Sequence, residues 1–248
     1  VGILYERGSR SFQSMHVDGA ARVAKAAASA GVERLVHISA LGADNSSPSA
    51  YSRTKAAGEA AVLASFPNST ILRPSVIFGP EDRFFNMFAD MGRITGVMPY
   101  FTNINPKTED GGGTSFQPVF AGDVAHAIES ALSQDMHAGR VYDIGGPTIY
   151  DMRSLLEMIN KYTDREAWIL GLPFIFGRLM AFWLQFLPKP LITPDQIKLL
   201  EKDNVADGSR PGLVDLGIRP TTVESIVPTY LRRFRPYQQQ KKLRIDTR

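Results

Sequence analysis

Short apolar runs and helical stretches alternate along residues 1–150. The apolar runs are rich in Val, Ile and Leu and have the length of buried strands, while the stretches between them have good helix propensity. This alternation predicts an α/β fold in which a parallel sheet carries helices on both faces. The predicted strands are VGILY, RLVHIS, STILRP, SFQPVF and RVYDIG, at residues 1–5, 34–39, 69–74, 115–120 and 140–145.

Two of the predicted helices have recognisable ends. In DGAARVAKAAASAG (18–31), Asp18 is expected to cap the first turn and Gly31 to take the left-handed position after the last turn. In GDVAHAIESAL (122–132), Asp123 is the expected cap.

The alternation ends near residue 150. We therefore predict a first domain at residues 1–150 and a smaller, mainly helical domain at 151–248. The most apolar stretch of the second domain, PFIFGRLMAFWLQFLPKP (173–190), is too short and too polar to span a bilayer. It is either a core helix of that domain or a helix that faces a partner or a membrane surface, because Trp183 and several Phe residues exceed what a small domain needs to bury.

Composition excludes several classes of protein. The 248 residues are 44% hydrophobic, which argues against a disordered chain, and no run has the 18 uninterrupted apolar residues of a membrane-spanning helix. The absence of cysteine excludes disulfides, thiolate metal sites and a cysteine nucleophile. The four His residues are dispersed, so no metal site is predicted.

Charge is distributed unevenly along the chain. Residues 1–150 contain 12 Lys and Arg against 14 Asp and Glu, whereas residues 151–248 contain 16 against 11. Residues 232–248 contain seven basic residues and one acidic residue. This end is either a solvated tail or a surface for an acidic partner or anionic lipid. Nucleic acid is not an expected partner, because no groove-reading motif accompanies the charges.

Tyr51 and Lys55 are the strongest candidates for site chemistry. They are one helical turn apart in YSRTKAAGE, so they lie on one face of a predicted helix. An ammonium group stabilises a phenolate, so Lys55 is expected to lower the pKa of Tyr51. Ser39 ends a predicted strand, where ligands gather in parallel sheets. Such a set can donate a proton while a nicotinamide delivers hydride, or it can only bind the nucleotide; the alternative is a helical pair without a ligand.

With these motifs the chain resembles the extended and atypical short-chain dehydrogenases/reductases. HISALGAD (37–44), YSRTKAAGE (51–59) and ILRPSVIFGPEDRFFNMF (71–88) look like the active-site strand, the Tyr–Lys helix and the strand beyond it. The last of these, with QPVFAGDVAHAI (117–128) and LVDLGIRPTTVE (213–224), resembles more closely one branch of the family. That branch contains the nucleotide-binding accessory subunit of respiratory complex I and its alphaproteobacterial relatives.

The resemblance implies a Rossmann-like fold that binds NADPH, or else NADH. Tyr51 and Lys55 would contact the nicotinamide ribose, and Ser39 would face the ring; these three are the retained catalytic positions. Gly2 would lie near the adenosine ribose. The cofactor-binding positions that the resemblance implies are Gly2, Ser39, Tyr51, Lys55, Pro74, Ser75, Val76 and Ile77.

The complex I branch implies a non-catalytic accessory subunit with other complex I subunits as partners. It would stabilise the complex near the junction of the peripheral and membrane arms, on the matrix side of the mitochondrial inner membrane or the cytoplasmic face of a bacterial inner membrane. Residues 173–190 and 232–248 would serve contacts with the membrane surface or lipid. The wider family implies instead an active reductase or epimerase on a carbonyl or sugar-nucleotide substrate.

The pyrophosphate-binding turn of this family has no counterpart in the sequence. No G-x-G-x-x-G or G-x-x-G-x-x-G motif occurs between residues 1 and 248. VGILY at the start of the chain has the pattern of a buried strand end, and a strand needs neighbours for its backbone groups. We therefore expect sequence before Val1, or a separate fragment, to complete the sheet.

Overall fold

The computed structural model describes residues 2–103, 112–188 and 190–236. The strands are β1 (Val36–Ile38), β2 (Thr70–Pro74), β3 (Ile77–Phe78), β4 (Val97–Thr102), β5 (Ser115–Phe116), β6 (Val119–Phe120), β7 (Val141–Ile144), β8 (Tyr150–Asp151) and β9 (Trp168–Pro173). The α-helices are α1 (Gly19–Ser29), α2 (Ala50–Ser65), α3 (Phe84–Thr95), α4 (Ala121–Ser133), α5 (Met152–Thr163), α6 (Phe174–Leu184), α7 (Pro194–Leu200) and α8 (Val223–Leu231). A π-helix (Gln13–Asp18) precedes α1, and 3₁₀-helices occupy Asp135–His137, Val214–Leu216 and Arg232–Phe234.

The central sheet is parallel and has the order β1-β2-β7. Three of the apolar runs predicted as strands form it, so the sequence-based prediction is confirmed for them. Its register places Ile38 opposite Leu72, and Leu72 opposite Tyr142. Because the three strands run in one direction, their carboxyl ends share one edge. Ser39 follows β1 at this edge and Pro74 ends β2 there.

Helices cover both faces of this sheet, as predicted. Successive side chains of a strand point to opposite faces. Ile71 of β2 packs with Ala24 of α1 and Val62 of α2 on one face. Leu72, the next residue, packs with Val124 of α4 on the other. The fold is therefore a Rossmann-like α/β fold.

Two of the strand predictions differ from the structure. Residues 2–5 form no strand, since no described strand pairs with them and an isolated strand is not stable. The run SFQPVF is interrupted at Pro118, which has no N–H to donate to a ladder. Its two halves form β5, antiparallel to β8, and β6, parallel to β3.

Two of the three predicted helix-end positions are also different. Gly31 takes the left-handed conformation as predicted, with φ of 66°. The prediction for Asp18 is wrong, because the π-helix continues into α1 and the Asp18 carboxylate accepts from the Gln13 side chain. The prediction for Asp123 is wrong as well. α4 begins two residues earlier, and the Asp123 carboxylate instead accepts from the backbone N–H and hydroxyl of Thr221.

The two halves of the chain pack together through an extensive core. β4 pairs in parallel with β9, which joins segments on either side of residue 150. Phe85 and Phe88 of α3 share a buried cluster with Leu155 of α5 and Val227 of α8. The helical character predicted for the second half is seen in α5 to α8. The division into two domains at residue 150 stays a prediction.

α6 buries a narrow stripe of its surface. Phe174, Gly177 and Ala181, spaced three and four residues apart, are its buried residues, and they pack toward β4 and α7. Large apolar side chains on the remaining surface are exposed, including Phe182 at 51% and Trp183 at 67%. Of the two interpretations of this segment, the exposure favours a helix that faces a partner or a membrane surface. None of the helices in the described part of the chain has the length and apolar character needed to cross a membrane.

Candidate functional site

The first turn of α2, the helix with Tyr51 and Lys55, is fixed by a distant carboxylate. Asp195 of α7 accepts hydrogen bonds from the backbone N–H groups of Ala50 (2.7 Å) and Tyr51 (3.0 Å) and from the Ser49 hydroxyl (2.8 Å). Ser49 Oγ in turn accepts from the Ser52 backbone N–H. These bonds satisfy N–H groups that the helix itself leaves unpaired, and a negative charge is favoured at this end of the helix dipole. The direction of the site helix therefore depends on α7.

The body of α2 is joined to the central sheet by a buried ion pair. Arg73 of β2 donates to both carboxylate oxygens of Glu59, over 2.8 and 2.6 Å. Side-chain exposure is 14% for Arg73 and 7% for Glu59. The hydrogen bonds with Glu59 raise the pKa of Arg73. The pair places Lys55, one turn before Glu59, beside the carboxyl end of β1.

Lys55 is directed at the sheet rather than at the tyrosine hydroxyl. Its Nζ donates to the backbone carbonyl of Ile38 over 2.9 Å. Burial lowers the pKa of Lys55, and the nearby Glu59 carboxylate opposes that shift. Burial raises the pKa of Tyr51. The prediction that Lys55 lowers the pKa of Tyr51 is therefore wrong for this structure, because desolvation of the phenol dominates.

The rings of Phe12 and His16 form an aromatic wall next to Tyr51. The His16 ring stacks on Phe12 at 5.3 Å and meets the Tyr51 ring edge-on at 5.3 Å. His16 Nε2 accepts from the backbone N–H of Ile3 (3.1 Å), so its proton lies on Nδ1, which donates to Thr54 Oγ1 (3.1 Å). Burial, with the ammonium group of the site lysine, lowers the pKa of His16 to about 4. The wall is therefore neutral at physiological pH.

Two serines mark the carboxyl ends of β1 and β2. Ser75 Oγ donates to the side-chain oxygen of Asn204 over 2.7 Å. Ser39 Oγ is buried and has no hydrogen-bond partner within the described ranges. Buried hydroxyls nearly always have a partner, so the unpaired Ser39 hydroxyl is an exception at this edge of the sheet.

A cavity of about 470 Å³ opens at the same edge of the sheet, within the size range of small-molecule sites. It extends from Tyr51 toward α3, β4 and α7. Half of the predicted cofactor positions line it: Tyr51, Pro74, Ser75 and Val76.

The other four predicted positions do not line the cavity. Ser39 directly precedes its lining, and Lys55 is bonded to the residue before Ser39. Gly2 is exposed, and a methyl group on it would lie 3.9 Å from His16 Nε2, so it is near the aromatic wall. Ile77 is 39% exposed on β3. The structure thus brings the first two of these residues to the site and leaves Ile77 outside it.

The donors at this edge fit the ribose of a nicotinamide nucleotide. The Lys55 ammonium has three N–H groups and uses one on Ile38, and the Tyr51 side chain lies on the cavity wall. Together with the unpartnered Ser39 hydroxyl they match the hydrogen-bonding groups of a diol and an amide, while only Tyr51 of the three lines the cavity. No equivalent site for the pyrophosphate occurs in the described residues, which contain no glycine-rich turn at a helix N-terminus.

Sequence patterns missed three residues of this site. Asp195 lies in TPDQ, where Thr193 forms the capping box of α7, so the sequence signals a local helix start and not a contact with α2. Asn204 and His16 also act through tertiary contacts. No short-range signal points to these roles.

The sequence of this chain is similar to those of known proteins. Residues 6–145 match the model of the NAD dependent epimerase/dehydratase family. The chain is 32% identical, over 95% of its length, to NADH dehydrogenase (ubiquinone) 1 alpha subcomplex subunit 9, mitochondrial, of Arabidopsis thaliana, and 33% identical, over 96%, to the protein of the same name from Mus musculus. It covers 59% and 61% of these relatives, so it spans about three fifths of their length.

A solved structure agrees with the fold. The NADPH-dependent quinone oxidoreductase QOR2 of Escherichia coli, in complex with NADPH, superposes with a TM-score of 0.67 at 21% identity, covering 90% of this chain and 74% of that one. These findings confirm the resemblance to the short-chain dehydrogenases/reductases and to their complex I branch. By its fold, its site and its match over residues 6–145, the chain belongs to the NAD dependent epimerase/dehydratase family.

Proposed function

We propose that this chain is the nucleotide-binding part of an accessory subunit of respiratory complex I. The observation that carries the proposal is its similarity, over 95–96% of its length, to two relatives named as subunits of NADH dehydrogenase (ubiquinone). The partners are then other complex I subunits, and the location is the matrix side of the mitochondrial inner membrane, or the equivalent bacterial face.

The nucleotide in this proposal is NADPH, with NADH as the alternative. A bound nicotinamide can supply hydride. Tyr51 and Lys55 bind its ribose, Ser39 faces the ring, and Pro74, Ser75 and Val76 line the ring's side of the cavity.

The geometry favours binding without turnover. A proton donor for a carbonyl works best when its pKa is close to the operating pH. In this site burial raises the pKa of Tyr51, and the Lys55 ammonium is directed to the Ile38 carbonyl. The nucleotide then serves stability, because a ligand that binds only the folded state adds about 2.7 kcal/mol at a hundredfold excess over its dissociation constant.

A second candidate is an active reductase or epimerase on a carbonyl or sugar-nucleotide substrate. The unpartnered, buried Ser39 hydroxyl favours it, since a serine facing the tyrosine completes an acid catalyst.

The exposed apolar surface of α6 supports a peripheral contact with the membrane. Trp183 and Phe186 are 67% and 72% exposed on a segment with many apolar neighbours. We propose that residues 173–190 contact the membrane surface, with residues 232–248 supplying positive charge. Residue 189 of the first segment and residues 237–248 of the second lie outside the described residues.

Nucleotide extraction from the full-length protein tests the function. Acid extraction followed by mass spectrometry is expected to give NADPH in near-equimolar amount. The wild type should turn over no carbonyl or sugar-nucleotide substrate, because in this account the Tyr51 hydroxyl does no acid catalysis. Tyr51→Phe should keep the amount of bound nucleotide within about twofold, because Lys55 still binds the ribose. An enzyme would instead lose at least about a hundredfold in turnover with this variant. Absence of NADPH from the wild type would contradict the cofactor assignment.

A further inference from the structure

The cavity beside Tyr51 extends beyond the residues assigned to the nicotinamide end of a dinucleotide. Tyr51, Pro74, Ser75 and Val76 are the positions assigned to the nucleotide under the proposed function. Beyond them the cavity continues between α3, β4 and the segment leading into α7. The residues of this outer part decide what else can bind there.

The outer part is lined mainly by hydrocarbon. Phe84, Met87 and Phe88 of α3 form one side, and Phe101 of β4 and Leu199 of α7 contribute to the other. An apolar lining of this kind gains free energy by removing hydrocarbon from water and offers few partners to hydroxyl groups. A sugar ring would leave most of its hydroxyls without hydrogen bonds there.

The two features that usually attract a diphosphate are absent or occupied. No arginine lines the cavity, among the residues that the structure describes, and arginine is the side chain best suited to bidentate phosphate contacts. The N-terminus of α2 could bind an anion, but the Asp195 carboxylate already occupies its Ala50 and Tyr51 N–H groups. A second negative charge at this position would be repelled. The interior of the cavity therefore disfavours the diphosphate of a sugar nucleotide, while two lysines, Lys198 and Lys202, are exposed at its opening.

The rim of the cavity is both apolar and cationic. Leu191 lines it and is 79% exposed, in the segment that connects α6 with α7. Lys198 and Lys202 also line it and are exposed. One carboxylate, that of Asp203, lines it as well and accepts from the backbone N–H of Ser115, so the lysines leave a positive balance. A hydrocarbon chain would be buried in the interior, and a negatively charged head group would find positive charge at the opening.

From these contacts we infer that the outer part of the cavity binds the aliphatic chain of an amphiphile with an anionic head group, next to the nucleotide. This inference rests on the proposed function, since it assigns the inner part to the nicotinamide. The aliphatic chain belongs to a phospholipid or to a free fatty acid, which share this chemistry.

A fluorescent fatty acid tests the inference on the full-length protein. 11-(Dansylamino)undecanoic acid should bind saturably, and palmitate but not UDP-glucose should displace it. Met87→Lys places a charge in the lining and should weaken probe binding at least tenfold. Met136→Lys is the matched control, because Met136 is exposed like Met87 but lies outside the cavity, and it should leave binding unchanged. Leu191→Ser, at the exposed rim, removes apolar lining without adding charge, so it is a second variant that folding tolerates and should also weaken probe binding.

Nucleotide content, measured in the same samples, separates this inference from the proposed function. Retained NADPH with no saturable probe binding, displacement of the probe by UDP-glucose, or equal weakening by the Met87 and Met136 variants would overturn the inference alone. Saturable, Met87-dependent binding in protein that lacks nucleotide would count against the proposed function and support the inference. Organic extraction then shows whether the amphiphile bound to the protein is a phospholipid or a free fatty acid.

Discussion

α2 and α6 show opposite relations between a helix and the rest of the molecule. α2 is bonded at its start to Asp195, in its middle to the end of β1 through Lys55, and further along to β2 through Glu59. α6 buries a stripe of three residues and exposes large apolar side chains over the rest of its surface.

The difference indicates which contacts each helix needs. The contacts of α2 come from within the chain, so the site helix is positioned before any ligand arrives. A large exposed apolar surface such as that of α6 marks an interaction site in soluble proteins. We therefore expect substitutions in α2 to affect folding and nucleotide binding, and substitutions on α6 to affect association.

Glu59→Gln should produce the largest loss of stability. It keeps the shape of the side chain but leaves the buried Arg73 charge without its partner, which costs about 3–5 kcal/mol. Urea unfolding of the full-length protein measures the change. Glu157→Gln removes the exposed Arg153–Glu157 pair of α5 and should cost less than about 1 kcal/mol. Equal losses of stability for the two variants would refute the prediction that the buried ion pair contributes more than the exposed one.

Lowering the pH should destabilise the protein through His16, which lies in the aromatic wall next to α2. Burial lowers the pKa of His16 to about 4, below its usual 6.5, so the unfolded chain binds a proton that the folded chain does not between these values. Stability should therefore fall as the pH decreases from 6.5 to 4, by about 3 kcal/mol for this group, and be fully restored above pH 6.5.

The His16→Gln variant checks this assignment. Its free energy of unfolding should depend on pH with a slope smaller by about one proton over the same interval. His37, whose pKa burial also lowers to about 4, should account for much of the remaining slope. His126→Gln, on the exposed surface of α4, is the control. An unchanged slope in His16→Gln would contradict the claim that His16 is neutral in the folded protein.

Asp195→Ala should have an intermediate effect on stability and a specific effect on the site. Loss of a carboxylate cap costs about 1–2 kcal/mol, and here it also frees the first turn that carries Tyr51. The nucleotide content should fall together with the stability. Asp151→Ala removes the cap of α5, whose carboxylate accepts from the backbone N–H of Ser154, and should cost similar stability with nucleotide content unchanged. Parallel loss of nucleotide in both variants would show that the effect of Asp195 is only on folding.

The smallest change in stability is expected on α6. Trp183→Ser should change the free energy of unfolding by less than about 0.5 kcal/mol, because the side chain is largely exposed. It should, however, reduce cosedimentation with vesicles of phosphatidylcholine and phosphatidylserine severalfold. Trp168→Ser, on the exposed surface of β9, should not. Equal binding of all three proteins would exclude α6 as a membrane-contacting surface.

Local patterns predicted the parts of this structure that local forces determine. The apolar runs of β1, β2 and β7 and the helices α1, α2 and α4 are where the sequence places them. The spacing of Tyr51 and Lys55 on one face of α2 is a property of any helix.

Long-range contacts account for what the sequence did not reveal. The pairing of β4 with β9 joins two segments about seventy residues apart, with Pro or Gly in each strand. Asp195 contacts a residue 144 positions away. The cap predicted at Asp123 failed because Thr221, far along the chain, takes its carboxylate. The raised pKa of Tyr51 depends on burial, which spacing alone does not give.

The nucleotide content of the Lys55→Met protein tests the central claim most directly. Methionine has nearly the length of lysine and suits a buried position, so the variant should fold, and circular dichroism can verify this. The account predicts near-equimolar NADPH in the wild-type full-length protein and at least a tenfold reduction in Lys55→Met. Equal NADPH in the two folded proteins would contradict the assignment of Lys55 to the nicotinamide ribose.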